Sequence, residues 1–240
     1  MSIHKLTIII PAYNEAATIG PVLETITQLK LNASVQKEIL VVDDGSRDGT
    51  TARIQNFIQE YTGENIQLIR HEQNRGKGAA IRTGIKLATG DCIIIQDADL
   101  EYDPEEINIL LEPVLKGKAD VVYGSRFQGG QAHRVLFYWH SVGNKFLTFL
   151  SNMFTDLNLT DMESGYKLFR REMLQNINLQ ENGFGFEPEV TAKMARIKGI
   201  RVYEVGISYY GRTYEQGKKI NWRDGIWAIW CIVKYGLLRK

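Results

Sequence analysis

Short β-branched runs and amphipathic stretches alternate through the first half of the chain. Residues 6–10, 38–42, 66–70, 92–96 and 120–123 carry apolar side chains at successive positions, the pattern of strands buried on both faces. Between them, residues 16–29, 50–61, 79–88 and 105–115 place apolar side chains at three- and four-residue intervals, which predicts helices. Alternation with such short connections predicts right-handed βαβ units and an α/β fold with a doubly wound, mostly parallel sheet.

The pattern changes after Gly124. Trp139, Val142, Phe146, Phe149, Leu150 and Met153 keep a helical period over 139–154, with Asn144 and Lys145 opposite. A helix near 187–198, a strand near 201–209, a basic loop over 211–219 and an apolar helix over 226–238 come next. That last helix carries Trp227, Trp230 and Tyr235 and falls short of the ~20 apolar residues a membrane span requires. It reads either as an interfacial helix on anionic lipid or as a helix docked on its own core. With no repeat and no linker, residues 1–240 form one continuous domain with a C-terminal helical elaboration.

Composition narrows the class. Of 240 residues, 44% are apolar, 24% charged and only 5 are proline, which excludes a disordered, collagenous or small disulfide-stapled chain. Twenty-nine basic residues against 28 acidic ones leave no general affinity for nucleic acid. Cys92 and Cys231 each sit in an apolar run, as buried, reduced thiols of a cytoplasmic protein do. The N-terminal apolar run ends at Pro11 without a small-residue cleavage site, so no secretory signal is expected.

Sheets of this kind bind ligands beyond the carboxyl ends of their strands, and the residues there are polar. Asn14 and Asp48 are good N-cap types, and Asp103 before Pro104 reads as a cap, but caps leave the paired aspartates unexplained. Asp97 and Asp99 flank Ala98, so their carboxylates point to one side of an extended chain and suit Mg²⁺ or Mn²⁺, with Glu101 as a further oxygen donor. Asp43 and Asp44 end the second strand, where a carboxylate can accept hydrogen bonds from a nucleobase; an Asx turn is the alternative. Arg75, Lys77, Arg126, Arg212 and Lys218 supply cations suited to diphosphate oxygens. The stretch 74–78 lacks Walker A spacing, and no G-x-G-x-x-G comes after the first strand.

These stretches, 8–15, 41–50, 74–78, 97–101 and 124–126, resemble in their order the signature of the family 2 glycosyltransferases, and most closely its polyprenyl-phosphate branch, which includes the dolichol-phosphate mannose synthases. The resemblance implies a GT-A, Rossmann-like fold, with a nucleotide-sugar-binding portion over 1–127 and an acceptor-side portion over 128–240. It places Pro11, Tyr13, Glu15, Val42, Asp44, Asp97 and Ala98 around the donor nucleoside and Asp99 on a Mg²⁺ or Mn²⁺ ion. Glu101 stands where those synthases commonly have a glutamine that also touches the metal. Arg126, Arg212 and Lys218 match residues that contact donor or acceptor phosphates, and 161–166 matches the acceptor-side segment.

The implied reaction is an inverting transfer of mannose or glucose from a GDP- or UDP-sugar to a polyprenyl phosphate. A phosphate acceptor is already an anion and needs no general base, whereas a saccharide acceptor would need one, with Asp161 or Glu163 as candidates. No histidine is expected to serve: His71, His133 and His140 fall in loops or at a helix start. Members of this branch often carry C-terminal spanning helices, and none is expected here. Contact with lipid then falls to the aromatic helices, on the cytoplasmic face of a membrane, or to a membrane partner subunit. An inactive nucleotide-sugar-binding subunit is the reading from a different class.

Overall fold

The computed structural model describes residues 3–129, 134–135, 137–212 and 222–237. Seven strands form one sheet: β1 (Lys5–Ala12), β2 (Gln36–Asp43), β3 (Ile66–Arg70), β4 (Cys92–Ile95), β5 (Val121–Ser125), β6 (Lys167–Arg170) and β7 (Val202–Gly206). Their order is β3-β2-β1-β4-β6-β5-β7. β1 pairs in parallel with β2 and β4, β2 with β3, and β5 with β7. The expected mostly parallel, doubly wound sheet is what the chain forms. Ile8, Ile9 and Ile10 are fully buried because the strand has helices on both faces, and each such side chain contributes about 1.5–3 kcal/mol.

β6 and the short helix that follows it, Arg171–Gln175, are elements the apolar pattern missed. β6 is antiparallel to both β4 and β5 and sits between them. An antiparallel strand begins at the rim where its neighbours end, so the residues that precede β6 reach the carboxyl edge of the sheet.

Eight helices cover the sheet among the described residues: α1 (Ile19–Gln28), α2 (Thr50–Glu60), α3 (Lys77–Leu87), α4 (Ile107–Leu115), α5 (Tyr138–Thr155), α6 (Arg171–Gln175), α7 (Phe186–Met194) and α8 (Trp222–Leu237). The expected cap at Asp103 is present: its side chain accepts from the Glu105 N–H, with Pro104 opening a 3₁₀ turn ahead of α4. Thr18 and Gly49 occupy the N-cap positions of α1 and α2 instead of Asn14 and Asp48. Asn14 takes a left-handed φ of 52°, and its side chain accepts from the Arg47 N–H, so it ties two rim loops together. Asp48 still accepts from the Thr50 N–H at the start of α2. Both cysteines are buried and free, and burial pushes the Cys92 thiol up to about 12.

α5 and α8 each have two faces. Leu147, Thr148 and Ser151 of α5 and Ala228, Cys231, Ile232 and Tyr235 of α8 are buried. Trp139, Phe149, Trp222 and Trp230 remain 77, 60, 71 and 53% exposed. The docked reading of the last helix holds for its buried face; the other face of each helix leaves aromatic side chains exposed. Among the described residues no helix is long and apolar enough to cross a membrane.

Glu181 fastens α8 to the body: its carboxylate accepts from Trp227 Nε1 (3.1 Å), Lys234 Nζ (3.0 Å) and Tyr235 Oη (2.6 Å). Burial pushes this carboxyl up, but the three donors outweigh burial and hold it below its ordinary value. A depressed carboxyl contributes stability above its unfolded value and loses it as pH falls through the folded one, so acid loosens α8. Glu181→Ala strands the three donors and should cost about 1–3 kcal/mol, read as a lower melting temperature and faster proteolysis within α8.

Candidate active site

The carboxyl ends of the strands open into a cavity of about 820 Å³. Pro11, Tyr13, Glu15, Asp44, Asp97, Ala98, Asp99, Glu101, Arg126 and Arg212 line it, as do Trp139 of α5 and Trp222 of α8. One channel therefore joins the strand ends to the two exposed tryptophans. Val42 is not part of the lining; it is fully buried in the core beneath the sheet. Lys218 lies outside the described residues.

At the β2 end, Asp44 is 2% exposed and holds the loop before α3. It accepts from the Arg75 N–H (3.0 Å) and the Gly76 N–H (2.7 Å), and His71 Nδ1 lies 2.6 Å from Oδ1. His71 lies in a loop and His140 in the first turn of α5, as expected, and both take part in the site. His71 is buried against Asp44 and Thr83, and His140 lines the cavity. The pairing was hidden because it joins residues 27 positions apart. Gly76 has φ +99°, and a Cβ there would meet the Asn182 carbonyl oxygen at 2.3 Å, so only glycine lets the two loops lie this close.

Lys77 opens α3 and reaches Asp97 at 2.8 Å and Glu187 at 3.7 Å. Burial would pull its ammonium down, but Asp97 and then Glu187 outweigh burial and hold it above its ordinary value. A Cβ at position 165 would lie 2.6 Å from Asp97 Oδ2, so Gly165 leaves the pair its space.

Asp99 and Glu101 converge on Arg212. Its Nη2 donates to Asp99 Oδ2 at 2.9 Å, its backbone N–H donates to Glu101 Oε1 at 2.8 Å, and Nη1 lies 3.5 Å from Glu15 Oε2. Burial first, then the Asp97 and Glu101 carboxylates, push the Asp99 carboxyl well above its usual range, with Arg212 offsetting part of this. The cluster is short of positive charge even with a guanidinium in it. No group of three acidic, histidine or cysteine ligands converges on one point among the described residues. A shortage of charge with few protein ligands fits a Mg²⁺ or Mn²⁺ ion that completes its shell with phosphate and water oxygens.

Arg126 leaves β5 and meets the segment that precedes β6. Its Nε and Nη2 donate to the two oxygens of Asp161 at 2.7 and 2.8 Å, and its backbone N–H donates to the same carboxylate. Asp161 is fully buried and fully engaged. Among the described residues, these two bonds use two of its five guanidinium N–H groups and leave three for a ligand. Tyr209 stacks beneath the guanidinium at 5.1 Å from its ring centroid.

The carboxyl rim of the sheet thus gathers an acid pair and an arginine locked by a buried aspartate. Residues 7–177 match the family described as glycosyl transferase family 2, and the chain belongs to it. It is 29% identical over 219 residues to a dolichol-phosphate mannosyltransferase of Pyrococcus furiosus, an alignment covering 90% of this chain and 60% of the relative. It is 32% identical to a dolichyl-phosphate beta-glucosyltransferase of Trichomonas vaginalis, covering 85% and 65%. The chain thus spans less than two thirds of the length of these relatives. Among solved structures it resembles glucosyl-3-phosphoglycerate synthase of Mycobacterium tuberculosis in complex with Mn²⁺, UDP and glucosyl-3-phosphoglycerate, with a TM-score of 0.74. That likeness, at 20% identity over 99% of this chain and 81% of that one, is one of fold, the GT-A fold.

Proposed function

We propose that the chain is an inverting, divalent-metal-dependent glycosyltransferase that moves a hexose, mannose or glucose, from a GDP- or UDP-sugar to a polyprenyl phosphate. The observation that carries this reading is the continuity of one cavity from the loops at Pro11 and Asp44, past Asp99 and Arg126, to the exposed Trp139 and Trp222. The Pyrococcus and Trichomonas relatives act on dolichol phosphate by name.

Pro11, Tyr13, Glu15 and the Asp44 loop would bind the nucleoside, and Asp97 and Ala98 the wall beside it. Asp99, with Glu101 where Arg212 gives way, would hold Mg²⁺ or Mn²⁺; when bound, the ion neutralises charge developing on the leaving diphosphate. The N–H groups of Arg126 not engaged by Asp161 would do the same from the protein side, already aimed before the reaction begins, and the Arg212 guanidinium, displaced from Asp99 and Glu101 by the ion, would turn to the diphosphate. A lipid phosphate attacks as an anion, in line and opposite the leaving group, so no side chain need take a proton. The engagement of Asp161 by Arg126 supports this, since it removes one of the two candidate bases. The second reading, a saccharide acceptor, keeps Glu163 as its only base.

The exposed aromatic faces of α5 and α8 would rest on the cytoplasmic face of a membrane, where indole rings sit at headgroup depth. This would put the mouth of the cavity at the lipid surface, the alternative being a membrane partner subunit that presents the lipid. Replacing Trp139 and Trp222 together with serine should weaken co-sedimentation with anionic vesicles about tenfold while leaving donor binding unchanged. Equal sedimentation of both proteins would remove the membrane role of these faces.

The central test incubates the protein with GDP- and UDP-sugars, Mn²⁺ and a short polyprenyl phosphate. Glycolipid is the expected product; transfer to a free sugar and none to the lipid would replace this reading with the second one. Tight donor binding without turnover on any acceptor would instead support a binding subunit.

A further inference from the structure

We propose that Glu163 recognises a hydroxyl of the transferred sugar and thereby sets which hexose donor the site accepts. The proposal rests on the glycosyltransferase reading and concerns a residue to which that reading assigns no part in phosphate, metal or nucleoside binding.

Glu163 lines the same cavity as Asp97, Arg126 and Glu187. Its Oε1 is shut off from solvent and has no hydrogen-bond partner among the described residues. The neighbouring carboxylates are all engaged: Asp97 and Glu187 by Lys77, Asp161 by Arg126, and Asp99 by Arg212. A buried polar atom without a partner carries a cost that folded chains rarely keep, and a substrate atom is one thing that removes it.

The surroundings dictate the chemistry of the missing partner. Burial first, and then the Glu187 carboxylate, push the Glu163 carboxyl up to about 8, with the buried Lys167 ammonium and the Arg126 guanidinium offsetting part of this. At neutral pH it carries a proton, so one of its oxygens accepts while the other can donate. A sugar hydroxyl, itself both donor and acceptor, completes that pairing. An anion does not, because Glu187 stands beside Glu163, and the guanidinium of Arg126 is already directed by Asp161. Of the groups the reaction would bring, the polyprenyl chain carries no hydroxyl and the lipid phosphate is charged. The ribose belongs with the nucleoside at the Pro11 and Asp44 end, so the hexose is the one remaining source of hydroxyls.

The test compares binding of a nucleoside diphosphate with binding of the matching nucleotide sugar by calorimetry, using the full chain with Mn²⁺. Glu163→Ala should weaken the nucleotide sugar about tenfold and leave the diphosphate unchanged, the size of one lost hydrogen bond to a buried polar group. A donor lacking the recognised hydroxyl should bind wild type and Glu163→Ala equally, whereas Glu163→Gln, which still donates and accepts, should keep part of the discrimination. Should Glu163→Ala fail to fold, as a thermal melt would reveal, the near-isosteric Glu163→Gln with the panel of monodeoxy donors gives the same comparison. Equal affinity of Glu163→Ala and wild type for the nucleotide sugar, or parallel loss of both ligands, would overturn the proposal and leave the glycosyltransferase reading standing. Undiminished donor binding by Glu163→Gln with complete loss of turnover would overturn it in favour of a general base. Failure of wild type to bind any nucleotide would overturn both.

Discussion

Replacing Arg126 with alanine is expected to abolish turnover and to destabilise the fold together. On the chemical side, the change removes the fixed guanidinium that we propose neutralises charge on the diphosphate, worth about 10²–10³ in rate for a preorganised donor group. On the structural side, it leaves Asp161 fully buried with its bidentate partner gone. Breaking a buried pair from one side costs about 3–5 kcal/mol, which for a chain of this length lowers the melting temperature by about 10 °C. Arg126→Lys separates the two effects. It keeps the charge but offers no fork to Asp161, so part of the stability should return while activity stays low. A melt and a turnover assay on both variants check this, and wild-type turnover by Arg126→Ala would remove Arg126 from the reaction.

Asp99→Asn should behave in the opposite way, losing activity while keeping the fold. The Asp99 carboxyl sits among Asp97 and Glu101 with burial against it, so a neutral amide relieves repulsion even as it forfeits the ion pair with Arg212. The melting temperature is expected to stay within a few degrees of wild type, and turnover to fall by about 10²-fold or more if Asp99 is the proposed metal ligand. Mn²⁺ affinity, tracked by paramagnetic resonance of the free ion, should drop in parallel. Unaltered Mn²⁺ binding would show that the ion rests elsewhere.

The sheet and most of the rim were legible in the sequence because both depend on local order. A strand buried on both faces is written as consecutive Ile and Val, and the residues immediately after it must lie at the strand's end; β1, β2, β4 and β5 and the loops at Pro11, Asp44 and Asp97 came from that alone. β3, expected to be buried on both faces, is instead an edge strand that buries only Ile66. β6 escaped because four residues beginning with a lysine carry no period, and their burial is created by β4 and β5 on either side. Partners were harder still. The grip of Arg126 on Asp161, the contact of His71 with Asp44 and the convergence of Glu15, Asp99 and Glu101 on Arg212 join distant residues by tertiary geometry. Val42 marks the limit of matching by motif, since a place in a signature can be kept for packing beneath the sheet.

The reversed strand has one more consequence. The chain leaves the sheet after Ser125 and re-enters it at Lys167 on the adjoining strand, and the two ends of this excursion are stapled by Ser125 to Thr160 and by Arg126 to Asp161. A loop whose ends are already held together can grow or shrink at little thermodynamic cost, about 0.6 kcal/mol for each doubling of length. The stretch between the staples is therefore an interchangeable cartridge: α5 and its aromatic face can diverge while the strands on either side keep their register.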